Sequence, residues 1–114
     1  MSGLPKSRIL KKKKDFQTVY SNGKTYANRF LVLYVFCSDD LQGKIGFAAG
    51  KKLGCAVRRN RIKRLLREAY RMQQDKIKEG FSLLLVGRKA ALSASFLDIE
   101  KALFALLEKA DVFT

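Results

Sequence analysis

The apolar positions of this chain change period repeatedly, and each change marks an expected element. Phe16, Val19 and Tyr20 stand at the i, i+3, i+4 spacing of a helix of about two turns that begins near Lys12. Ser21-Asn22-Gly23 supplies its stop, through the left-handed backbone that Gly tolerates. Residues 29–36 (RFLVLYVF) are rich in aromatic and β-branched side chains and read as a strand. Side chains alternate along a strand, which puts Phe30, Val32, Tyr34 and Phe36 on one face and Leu31, Leu33 and Val35 on the other. Ser38-Asp39-Asp40 with Gln42-Gly43 marks a turn before residues 44–49, so these two strands are expected to pair as an antiparallel hairpin.

A long helix is expected over 56–78, ended by Glu79-Gly80. Its period separates Ile62, Leu65, Leu66 and Ala69 on one side from Asn60, Lys63, Arg64, Arg67 and Arg71 on the other. Residues 81–86 (FSLLLV) are nearly all apolar, as in a central strand covered on both faces within a strand-helix-strand unit. Ser95-Phe96-Leu97-Asp98 has the form of a capping box that opens a last helix, with Phe96, Ile99, Leu103, Leu106 and Ala110 on its apolar stripe. These elements predict a two-layer α/β sandwich with a small mixed sheet, in the order α-β-β-α-β-α with room for one further strand. No linker or repeat divides residues 1–114, so one domain is expected, with 1–11 as a basic, aperiodic and flexible arm until an anion holds it. The helices outnumber what one face of so small a sheet requires, which leaves the other face or an adjoining groove open to a ligand.

Charge gives this scaffold a partner class. Lys plus Arg number 24 against 10 Asp plus Glu, a formal +14 on 114 residues. Nine of the cations fall within residues 51–71, against one acid, Glu68. Such an imbalance points first to nucleic acid. A basic amphipathic helix is also compatible with a plain solvated face, a membrane surface or a calmodulin-type target. At 47% hydrophobic residues the chain is too apolar for a disordered basic tail.

Catalysis by the chain alone finds no residues. There is no His, the acids are scattered, and the seven serines lack a His to act as base. Cys37 and Cys55 have no Cys or His at metal spacing, so they are expected as small, mostly buried and reduced residues without zinc or a disulfide. No apolar run reaches signal-peptide or membrane-spanning length, hence a cytoplasmic protein without membrane contact is expected. Gly43, Gly46, Gly50 and Gly54 serve either turn geometry and packing or close approach to phosphate beside Lys51, Lys52, Arg58 and Arg59. Phe16, Tyr20 and Tyr34 interleave with Lys11 to Lys14, Lys24 and Arg29, as core residues or as a groove that stacks unpaired bases.

The run from Lys51 to Glu68, K-K-x-G-x-A-V-x-R-N-R-x-K-R-x-x-R-E, resembles the RNR signature of the bacterial ribonuclease P protein family. The likeness continues through the basic start, Phe16 and Tyr20 in DFQTVY, Ala27-Asn28-Arg29 and the closing helix. It implies a protein that partners a large catalytic RNA and helps remove the 5′ leader of precursor tRNA. The RNA and its Mg²⁺ would carry the chemistry, with no cofactor bound to the protein. It also implies a left-handed βαβ crossover, where the general rule is right-handed. Residue by residue it implies RNA contacts at Arg59, Asn60, Arg61, Lys63, Arg64 and Arg67, to which the charge pattern adds Lys51, Lys52, Arg58 and Arg71. A leader-binding cleft is implied at Phe16, Tyr20 and Tyr34, with Lys12 and Arg29 beside it. Cys55 departs from the family, which commonly has Asn there, and this puts the local helix cap in doubt. The alternative function is a structural RNA-binding protein of ribosomal type.

Overall fold

A computed structural model describes residues 8–37 and 43–114; the turn expected at 38–42 and residues 1–7 of the arm lie outside the described residues. Helix α1 (Lys13–Asn22) leads into β1 (Lys24–Ala27), β2 (Leu31–Cys37) and β3 (Ile45–Ala49). Helix α2 (Ala56–Gln73), β4 (Phe81–Gly87) and α3 (Phe96–Lys109) follow, joined by short 3-10 turns. The sheet order is β1-β2-β4-β3, with β1-β2 and β2-β4 antiparallel and β3-β4 parallel. The strand-helix-strand unit is therefore β3-α2-β4.

Alternation in the strands divides the interior in two. Leu31, Leu33 and Val35 of β2, Ile45 and Phe47 of β3, and Leu83 and Leu85 of β4 pack beneath Ile62, Leu66 and Tyr70 of α2 and Ile99, Leu103 and Leu107 of α3. On the other face Leu84 is buried with Leu10 and Val19, and Phe16, Tyr34, Phe36, Ala48 and Val86 are half-buried around them. One face of the sheet is thus sealed by two helices. Among the described residues the other carries α1 and the stretch at Leu10, and stays partly open.

The structure corrects several sequence expectations. The strands 29–36 and 44–49 do not form a hairpin: β4 lies between them, pairing Leu83 with both Val35 and Ile45. An apolar run such as FSLLLV has to be covered on both faces and paired on both edges, and only the interior of the sheet provides this. The hairpin partner of β2 is β1, whose short and mostly exposed KTYA lacks the apolar alternation of a strand. Its turn is built by Asn28, whose Oδ1 accepts from Phe30 N at 3.1 Å and Leu31 N at 3.2 Å while Nδ2 donates to Ala102 O at 3.0 Å. Phe30, placed before β2, packs against the larger core and not on the face of Tyr34.

Helix ends also differ. α1 stops at Asn22, but Gly23 is extended (φ −78°) because the chain enters β1 directly; its N–H bonds Val19 O at 2.8 Å. α2 ends at Gln73, five residues before Lys78. Residues 76–78 pair instead with the C-terminus, through Lys78 N to Val112 O and Thr114 N to Lys76 O, both 2.7 Å, and an Ile77–Phe113 bridge. The capping box of α3 forms: Ser95 Oγ accepts from Asp98 N at 3.2 Å and Asp98 Oδ2 from Ser95 N at 3.0 Å. Phe96 leaves the predicted stripe at 37% exposure, and Ala102 and Leu107 join Ile99, Leu103 and Leu106 in the core. Part of the arm is docked: Ile9 bridges Ile45, and Leu10 is buried with its N–H on Ile45 O at 2.8 Å.

Gly87 ends β4 beneath α2, and a Cβ there would overlap Cγ2 of the buried Ile62. Gly87→Ala is expected to destabilise the fold by about 1–3 kcal/mol, the range for overpacking, read as a lowered urea midpoint.

Candidate RNA-binding surfaces

Chain geometry between β3 and α2 sets where the first cations point. Leu53 is buried and anchors a 3-10 turn, leaving Lys51 and Lys52 exposed at its rim. Gly54 adopts φ 117°, a conformation that other residues rarely take, and reverses the chain into the N-cap Cys55. Gly46 has a different use, as the floor on which the Phe16 ring lies. The Cys55 side chain makes no capping hydrogen bond and is exposed, as is Cys37 at the end of β2, so neither thiol is buried as the sequence suggested. The Arg58 N–H nevertheless favours a negative sulfur, helped by the Val57 N–H and the Arg58 charge, and the thiol pKa falls below its ordinary value despite an opposing desolvation effect. Cys55→Asn restores an acceptor for the orphan N–H groups of the first turn. It is expected to stabilise by about 1 kcal/mol, near 4 °C in melting temperature, checked by calorimetry.

Along α2 the expected division into an apolar and a basic face holds: Ile62, Leu66 and Ala69 are buried, and Leu65 packs half-buried beside them. The basic residues, however, fall into two groups. Arg59 Nε donates to Ala49 O at 3.0 Å, tying the helix to the end of β3. Arg61 reaches across to Leu92 O at 3.4 Å and Ala94 O at 3.2 Å, fastening α2 to the approach of α3. Arg67 lies over the Phe47 ring, 5.6 Å from its centroid. Arg71 pairs with Glu68 at 2.6 Å, so its charge is already matched. By contrast Asn60, Lys63 and Arg64 make no such tie, and together with Arg67 they line one shallow concavity of about 280 Å³ with no acid among its described lining residues. Arg58 and Arg61 border a neighbouring hollow with Leu92 and Ser93. Neither hollow has a carboxylate among its described lining residues, so the local charge there is positive.

The half-open face of the sheet brings Phe16, Tyr20 and Tyr34 together. Tyr20 and Tyr34 meet edge to face with centroids 4.9 Å apart, and Tyr20 remains 40% exposed. Phe16 and Tyr34 are half-buried against Leu10, Val19 and Leu84, so these rings serve the core and the surface at once. Burial, with a smaller effect of the Tyr34 phenol, pushes the Tyr20 hydroxyl above its ordinary 10.0, so no phenolate forms at neutral pH to repel phosphate. Lys12 is exposed at the N-cap of α1. Arg29 is not brought to this group: it lies 5.0 Å over Phe30 and lines a groove with Asp98, Lys101 and Ala102 of α3. Sequence reasoning passed over Lys78 and Lys109, which the fold gathers with Lys24 around a further groove of about 650 Å³. Their wide separation along the chain concealed them.

Among the described residues no three His, Cys, Asp or Glu side chains converge as metal ligands, and no helix is long and apolar enough to cross a membrane. The ribonuclease P family model matches residues 4–111. The chain is 38% identical over 108 residues to the ribonuclease P protein component of Clostridioides difficile strain 630, covering 94% of this chain and 95% of that one. Its identity to the same component of Clostridium botulinum strain Loch Maree is 40% over 109 residues, with 95% and 98% covered. Among solved structures, the Staphylococcus aureus RNase P protein superposes with a TM-score of 0.84 at 34% identity, over 96% of this chain and 100% of that one. The Thermotoga maritima RNase P protein gives 0.76 at 27% identity, over 88% and 94%. With the RNR signature on α2 and the family model matching residues 4–111, the chain belongs to the ribonuclease P protein component family.

Proposed function

We propose that the two surfaces of this protein divide the substrate complex between them, α2 docking the catalytic RNA and the α1 side of the sheet holding the leader of precursor tRNA. As a member of its family the chain is a subunit of the endoribonuclease that matures tRNA 5′ ends. The observation that carries the division is the concavity of Asn60, Lys63, Arg64 and Arg67, which clusters cations with no acid among its described lining residues. Each phosphate neutralised there releases counterions, a driving force that needs no base sequence. Tyr20 and Tyr34 supply the complementary chemistry, ring faces and edges on which unpaired bases stack.

In this reading the protein binds and orients while the RNA subunit and its Mg²⁺ carry out hydrolysis, and the complex works in the cytoplasm. Reconstitution tests it. Purified protein with Mg²⁺ and precursor tRNA is expected to yield no mature 5′ end, and addition of the catalytic RNA to restore cleavage with tighter precursor binding than RNA alone. Cleavage by protein freed of RNA would overturn the division of labour. Absence of any protein effect on the RNA reaction would favour the structural RNA-binding alternative.

A further inference from the structure

We infer that the groove where α1, β1 and the end of α3 meet is a second single-stranded RNA subsite, which takes the more 5′ nucleotides of the leader after they leave the cleft. This rests on the cleft reading above. The two sites share a wall: Phe36, half-buried under the cleft, also lines the groove, and so does Asn22, the last residue of α1. Lys24, Lys78 and Lys109 arrive at the groove from separate parts of the chain, all exposed, and Asp111 is the one acid among the described residues that line it. Tyr26 and Phe81 supply apolar ring surface between the cations. Cations that track a backbone, set around aromatic surface in a concave channel, are what a single strand requires.

The C-terminus of α3 at this groove would ordinarily repel phosphate through its unpaired carbonyls. Here that end is closed. Asp111 takes a left-handed conformation, φ 58°, and the N–H groups of Ala110, Asp111 and Val112 bond Leu106 O, Glu108 O and Leu107 O at 2.9, 3.1 and 3.3 Å. Lys78 Nζ then donates to Asp111 O at 3.3 Å, so the carbonyls of Leu106, Leu107, Glu108 and Asp111 are satisfied internally, and less of the negative end of the helix faces the lysines.

The test uses holoenzyme reconstituted with the catalytic RNA and precursor tRNAs whose leaders increase in length. Lys24→Ala/Lys109→Ala is expected to match wild type on short leaders. On leaders that extend past the cleft it should bind roughly 3- to 10-fold more weakly, its salt slope reduced by about 0.7 per lysine. Lys24→Arg/Lys109→Arg should retain wild-type behaviour. In a Cys55→Ser background, an aryl azide on the exposed Cys37, which lines the groove, should crosslink to distal leader nucleotides. If the alanine variant follows wild type at every length while Tyr20→Ala still removes leader dependence, the groove proposal fails and the cleft stands. If Tyr20→Ala changes nothing either, both fail. An equal loss on leaderless tRNA, or crosslinks to the catalytic RNA alone, would also overturn the subsite.

Discussion

Replacing Lys63 and Arg64 together by alanine is expected to weaken assembly with the catalytic RNA by about 100-fold or more, with little change in melting temperature. A hydrogen bond to a charged partner contributes about 1.5–3 kcal/mol, or roughly 10- to 150-fold for each bond. The logarithmic salt slope should also fall by about 0.9 for each phosphate no longer neutralised. Folding should survive, because neither side chain holds a hydrogen bond or ion pair among the described residues, unlike Arg59, Arg61 and Arg71. Arg61→Ala makes the contrasting case: it removes the donors for Leu92 O and Ala94 O, so melting temperature and assembly should drop together. Filter binding across a salt series, with calorimetry in parallel, separates the two. Wild-type affinity and slope in the double variant would place the RNA elsewhere on the protein.

Truncating both tyrosines of the cleft should produce the other large effect. Stacking contributes about 1–3 kcal/mol per ring, so Tyr20→Ala/Tyr34→Ala in the holoenzyme is expected to bind leader-bearing precursor at least about 30-fold more weakly and mature tRNA unchanged. Tyr20→Ala is the cleaner single variant. Its ring is 40% exposed, whereas Tyr34 packs on the small core with Leu84 and its loss will also lower stability. Tyr20→Phe keeps the ring face and should stay close to wild type, since the hydroxyl is neutral at working pH. Equal losses for precursor and mature tRNA, or a loss that appears only as unfolding, would return these rings to a purely structural role.

Much of this was readable along the chain because it depends on local spacing. The 3.6-residue period of 56–73 separates Ile62, Leu66 and Ala69 from Lys63 and Arg64 whatever surrounds the helix. The apolar run of β4 requires a central strand, and Ser95 with Asp98 closes its capping box within one turn. The +14 charge pointed to nucleic acid, and the resemblance of residues 51–68 to the RNR signature narrowed this to RNA. Pairing was not local. Which strand sits beside β2 is settled by what must cover Leu84 and Leu85 on opposite faces, and that set β4 between β2 and β3 and left KTYA to form the hairpin. The fate of each cation was equally hidden. Arg59 and Arg64 read alike in sequence, yet one finds a backbone carbonyl at the end of β3 and the other finds none among the described residues, because side-chain reach and carbonyl position meet only after the chain has packed. Charge and period are properties of the sequence by itself. The division of those charges between holding the fold and meeting a partner belongs to the tertiary structure, which alone decides the distances over which hydrogen bonds act.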